Sequence, residues 1–123
     1  MKCTHDEAVR GLLAISRVEK NEMPGSIAKI FFGLRKMLQP AAEFETEQET
    51  KFVEENGGKI SETGKVTFDE PDKLLAFFEK QQEIRELEYE YNAPGKYVID
   101  AAECGRIAPA DMRALEPFID WKE

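Results

Sequence analysis

An apolar series at helical spacing runs through Ile27, Ile30, Phe31, Leu34, Leu38, Ala41, Phe44, Phe52 and Val53, and it keeps its phase across Pro40. No other feature of the chain constrains the fold more. A period near 3.6 sustained over that length predicts one long amphipathic helix. An interior proline removes a backbone hydrogen bond and crowds the preceding turn, so a kink at Pro40, or two helices meeting at Gln39, is expected. The retained phase favours the kink. Ser26 is placed as N-cap, and Asn56-Gly57-Gly58 stops the helix, because glycine readily takes the left-handed C-terminal conformation. A shorter helix precedes it. Thr4 and Glu7 have capping-box spacing, and Ala8, Leu12, Ile15 and Val18 fall on one face with Val9 and Leu13 beside them. Asn21, Pro24 and Gly25 end that helix, which predicts an αα-hairpin whose stripes bury one another.

The second half changes character. Lys59-Ile60-Ser61 and Lys65-Val66-Thr67-Phe68 flank Glu62-Thr63-Gly64, the pattern of a short hairpin. Asp69 as N-cap and Pro71 in the first turn open a helix to about Arg85, carrying Leu74, Leu75, Phe77, Phe78 and Ile84. Glu86-Leu87-Glu88-Tyr89-Glu90-Tyr91 then alternates strictly. As a strand, it puts Leu87, Tyr89 and Tyr91 on one face and Glu86, Glu88 and Glu90 on the other. Asn92-Ala93-Pro94-Gly95 supplies a turn into a returning antiparallel strand, Tyr97-Val98-Ile99. Pro109 opens a last short helix and Pro117 ends it, with Met112, Leu115, Phe118, Ile119 and Trp121 docking the end of the chain. The reading is a single α+β domain over residues 1–123: an αα-hairpin with a kinked long second helix, a small antiparallel sheet with one further helix, and a short C-terminal helix.

Composition narrows the function classes. Of 123 residues, 41% are apolar and 34% charged, with 17 basic and 25 acidic side chains and a net charge of −8. That balance argues against direct nucleic-acid binding, which needs a concentrated basic surface. The charge is uneven, +3 over residues 1–39 and −11 over residues 40–123. Apolar runs fall far short of the ~20 residues of a membrane span. The polar stretch after Lys2 does not read as an export signal, so a cytoplasmic location with Cys3 and Cys104 reduced is expected. Two cysteines and one histidine cannot furnish a four-ligand Cys/His zinc site.

Catalytic patterns are sparse. The chain contains no P-loop, G-x-G-x-x-G or G-x-S-x-G signature, and His5, in an N-terminus expected to fray, has no evident triad partners. Glu43, Glu45, Glu47 and Glu49 recur at every second residue, which on a helix spreads them round a solvated outer face. Glu86, Glu88 and Glu90, ~6.8 Å apart along one strand face, repel unless exposed, paired or bridged by a hard cation. The expected role is an exposed acidic face that meets a basic partner and discourages stray strand pairing. Tyr89, Tyr91 and Tyr97 sit among glutamates, a setting for packing or a protein interface rather than base stacking. Arg10, Arg17, Lys20, Lys29, Arg35 and Lys36 read as the solvated side of the first two helices.

The helix end at Met23-Pro24, the segment Ser26-Ile27-Ala28-Lys29, the amphipathic Phe44–Lys51 stretch with its glycine turn, and the Leu87–Tyr91 strand form one series of elements. Together with the terminal run from Ile107-Ala108-Pro109 to Glu116-Pro117-Phe118-Ile119, it resembles a family of small uncharacterised phage and prophage proteins. Pro40 departs from that family's continuous helix. The resemblance implies a protein made inside a bacterial host cell and brings no catalytic residues or cofactor with it. The expected function is a non-enzymatic, protein-binding accessory that contacts a basic partner through Glu86, Glu88, Glu90, Tyr89, Tyr91, Glu43 and Glu47, as a virion assembly factor or a modulator of a host protein. A second reading is a ligand pocket or small enzyme site between sheet and helices, built from Tyr89, Tyr91, Tyr97, Glu88 and Arg106. A third is a self-assembling structural protein.

Overall fold

The computed structural model describes residues 1–122. In chain order its elements are strand β1 (Lys2–Thr4), helices α1 (His5–Val18) and α2 (Gly25–Glu55), strands β2 (Lys59–Ile60) and β3 (Val66–Thr67), and helix α3 (Pro71–Glu86). Strands β4 (Glu88–Glu90) and β5 (Tyr97–Asp100), a 3-10 turn (Ala101–Cys104), helix α4 (Pro109–Leu115) and strand β6 (Ile119–Lys122) follow. The architecture is α+β. No described helix is long and apolar enough to cross a membrane.

Helix α1 begins where its capping box dictates. The Glu7 N–H donates to Thr4 Oγ1 at 3.0 Å, and the Thr4 N–H donates to Glu7 Oε1 at 2.9 Å. Helix α2 begins one residue before Ser26: the Pro24 carbonyl already accepts the Ile27 and Ala28 N–H groups, so Pro24 is the cap and Ser26 lies in the first turn. The helix then passes through Pro40 as one 31-residue element rather than two meeting at Gln39. Its buried Phe31, Leu34 and Leu38 pack with Ala14, Ile15 and Val18 of α1. Gly11 lets this core close, because a Cβ there would lie 2.6 Å from the Phe118 ring. Likewise α3 starts at Pro71, capped by the backbone at Glu70 rather than by Asp69.

Strand pairing departs from expectation. β4 and β5 form no hairpin. Instead β4 runs antiparallel to β1, pairing Lys2 with Glu90, Cys3 with Tyr89 and Thr4 with Glu88. β5 runs parallel to β6. The chain ends take the hydrogen-bonding positions a hairpin would have used: the Tyr91 N–H donates to the Met1 carbonyl and the Tyr97 N–H to the Phe118 carbonyl, both at 3.0 Å. The N-terminus expected to fray is therefore a strand with Cys3 buried, and the expected docked turn at the other end is strand β6. Helix α3 also runs one residue further than its pattern implied. Glu86 is its last residue, the backbone turns extended at Leu87, and the strand starts only at Glu88.

Two apolar clusters result. The main core joins α1, the first part of α2, β5, β6 and α4. A second, aromatic cluster sits in the distal part of the molecule, where Phe52 of α2, Phe68 after β3 and Phe77 of α3 have ring centroids 5.9–6.1 Å apart. Gly58 is required there, since a Cβ would run into the Phe68 ring.

Candidate functional site

The distal cluster belongs to an arm formed by the end of α2, the β2–β3 hairpin, α3 and β4. Charge concentrates on it. Residues 43–90 carry 15 acidic and 6 basic side chains, a net −9, whereas the rest of the chain is +1. Two acidic pairs face solvent. Glu43 and Glu47 lie four residues apart on α2, hence on one helical face. Glu88 and Glu90 share a face of β4, where Lys2 Nζ on the paired strand lies 3.9 Å from a carboxylate oxygen of each. These pairs are well exposed, so Lys2 stabilises them little and leaves the face acidic. A chain neighbour of each pair meets His5: the Phe44 ring lies tilted against the His5 ring at 5.3 Å, and the Leu87 carbonyl accepts the His5 N–H at 2.9 Å.

Glu86 does not join Glu88 and Glu90. It ends α3 and accepts a hydrogen bond from Gln82 Nε2 at 3.0 Å, so the expected three-glutamate strand face is reduced to two. Among the described residues, no group of three or more His, Cys, Asp or Glu side chains is placed to hold a metal ion.

The expected solvated acidic face of α2 is also divided. Glu45 is only 6% exposed and points at α3, where Arg85 Nε donates to its Oε1 at 3.1 Å. Its Oε2 has no hydrogen-bond partner among the described residues. One turn on, Glu49 Oε1 accepts from Gln81 Nε2 at 2.8 Å. Burial, aided by the neighbouring Glu45 carboxylate, raises the Glu49 carboxyl pKa above its ordinary value, against the opposing pull of Gln81 and Arg85. Glu45 and Glu49 therefore fasten α3 to α2, and their partners lie 32 to 40 residues away in sequence.

The tyrosines are structural anchors. Tyr89 Oη donates to the Met37 carbonyl at 2.5 Å, one residue beyond Lys36, whose carbonyl loses its usual i+4 donor to Pro40. Its ring meets His5 edge-on at 5.4 Å and stacks on Tyr91. Tyr91 is buried against Phe118, its Oη has no partner among the described residues, and burial pushes its phenol up to about 12. His5, expected in a loose segment, is buried instead. Its Nδ1 lies 3.0 Å from the Leu87 carbonyl, which can only accept, so Nδ1 carries the proton. Burial likewise raises the Cys3 thiol to about 11, so it stays protonated at neutral pH.

The pocket expected from Tyr89, Tyr91, Tyr97, Glu88 and Arg106 is not assembled. Tyr89 sits at the start of α1, while the Arg106 carbonyl is held by Asn21 Nδ2, at 2.8 Å, beyond the other end of that helix. A 14-residue helix separates them, about 20 Å at 1.5 Å per residue.

Sequence reasoning passed over a cleft of about 460 Å³ between α1 and α4, lined by Arg10, Leu13, Arg17, Asp111, Arg113 and Ala114. Arg17 Nη1 contacts the buried Asp111 carboxylate at 2.7 Å, which sets one wall. Arg10, Leu13 and Arg17 recur at i, i+3 and i+7, a spacing present in the sequence but eclipsed by reading the arginines as a solvated face. No protein-family model, curated protein or solved structure matches the chain.

Proposed function

We propose that this chain is a non-enzymatic, protein-binding accessory protein whose acidic arm docks on a basic surface of another protein. The observation that carries this reading is the division of charge, −9 on residues 43–90 against +1 elsewhere, with Glu43, Glu47, Glu88 and Glu90 all exposed. Charge complementarity of that kind speeds encounter and makes binding sensitive to salt. The Glu45–Arg85 and Tyr89–Met37 contacts tie α3 and β4, and with them the acidic arm, to α2. With the resemblance to phage and prophage proteins, the reading becomes an accessory acting in the cytoplasm of a bacterial host, in virion assembly or on a host protein.

The test is capture from bacterial lysate at low salt, comparing wild type with Glu43→Lys/Glu47→Lys and with Glu88→Lys/Glu90→Lys. A partner retained by wild type, released by salt and lost with either reversal supports the reading. A partner that stays bound to both reversed proteins contradicts it.

A further inference from the structure

We propose that the outer face of α3 in one molecule docks into the α1–α4 cleft of a second copy of the same chain. The two surfaces mirror each other in spacing and charge. Along α1, Arg10, Leu13 and Arg17 stand at i, i+3 and i+7, all exposed. Along α3, Asp72, Leu75 and Glu79 stand at the same three spacings, also exposed. Both stripes span about 10 Å, so a basic–apolar–basic row meets an acidic–apolar–acidic row of equal length.

The apolar centres are large. Leu13 is 53% exposed in the cleft, and Leu75 and Phe78 on α3 are 65% and 53% exposed. Side chains of that size gathered on one helix face mark an interaction surface. The cleft can also accept more negative charge than it already holds. Arg17 uses Nη1 on Asp111 and Arg10 uses Nε on Asp6, while each guanidinium carries five N–H donors. Arg113 on the α4 wall forms no ion pair among the described residues. The stripe on α3 shares no residue with Glu43, Glu47, Glu88 and Glu90, so this inference goes beyond the basic-partner reading and fails or holds separately from it.

Sedimentation and light scattering over a wide concentration range at low salt test it. Wild type should rise above the 14.0 kDa monomer mass with concentration and return to it on adding salt. Arg10→Glu/Arg113→Glu, which spares the Arg17–Asp111 pair, should remain monomeric, as should Asp72→Lys/Glu79→Lys. Mixing the two should restore association, because each reversed surface then meets a complementary one. Leu75→Ser, an uncharged change at an exposed site, should weaken wild-type association without altering the circular dichroism. A wild-type chain that stays monomeric throughout overturns the proposal. So does association that survives both double variants, or a mixture that fails to restore it.

Discussion

The main core and the acidic arm are built on different physical terms. In the core, Ile15, Phe31, Leu34, Leu38, Leu115 and Phe118 are fully buried, and association of α1, α2 and α4 is driven by apolar area. In the arm, a three-ring aromatic cluster is supplemented by Glu45–Arg85, Glu49–Gln81 and a hydrogen bond from Lys73 Nζ to the Asn56 carbonyl, while Leu75, Phe78 and Ile60 remain exposed. An apolar core gains stability from every buried methylene. The arm buries a smaller apolar set, with Val53, Phe77 and Ile84, and relies in part on directional polar contacts. It is therefore expected to open at lower free energy while its charge stays on the outside. A division of labour follows, with an apolar scaffold at one end and a charged surface at the other.

The largest expected effect lies in the core. Phe118→Ala should cost about 3–5 kcal/mol in denaturant unfolding and lower the whole transition, since its ring seals Gly11 and Tyr91. An equally cooperative whole-chain loss with Phe77→Ala would show that arm and core are one unit. Next comes the buried carboxylate. Arg85→Met should cost about 3 kcal/mol by leaving Glu45 unpaired, whereas Glu45→Leu/Arg85→Met should recover most of that loss. Hydrogen exchange should place the weakening in α3 and leave α1 protected.

Glu49 supplies a pH test with a defined sign. Its folded pKa lies above the ordinary glutamate value of 4.5, so the folded chain holds this proton more tightly than the unfolded one. Its contribution to stability is complete below the unfolded pKa and is lost as pH rises through the folded pKa. Glu49→Gln should therefore equal or exceed wild type in arm stability at neutral pH, and its advantage should shrink on acidification. A variant whose deficit grows as pH rises would show that the ionised carboxylate is the stabilising form. The smallest effects separate two neighbouring hydroxyls. Tyr89→Phe should cost about 1 kcal/mol by removing the bond to the Met37 carbonyl, while Tyr91→Phe should be neutral or slightly stabilising.

These sites also show what could be read from sequence. The Thr4–Glu7 cap, the Asn56–Gly58 stop and the Pro71 and Pro109 helix starts are legible because their physics acts within a few residues. Strand partners are not: β1 and β4 are joined across some ninety residues, and alternation identifies a strand without naming its neighbour. Glu45 escaped notice for a related reason. In a run of glutamates at every second position, only the distant Arg85 distinguishes the buried one. Glu43, Glu47, Glu88 and Glu90 are legible as exposed acids, but that Phe44 and Leu87 beside them both meet His5 depends on contacts distant in sequence. Glu86 was misplaced because α3 overran the alternating pattern by a single residue.

Hydrogen–deuterium exchange of the dilute, monomeric chain, alone and with the partner captured at low salt, tests the central claim most directly. The acidic-arm account predicts new protection within residues 43–90, centred on α2 beyond Glu43 and on β4, with α4 and β6 unchanged. Protection appearing on α4 and β6 while the arm exchanges as before would contradict it.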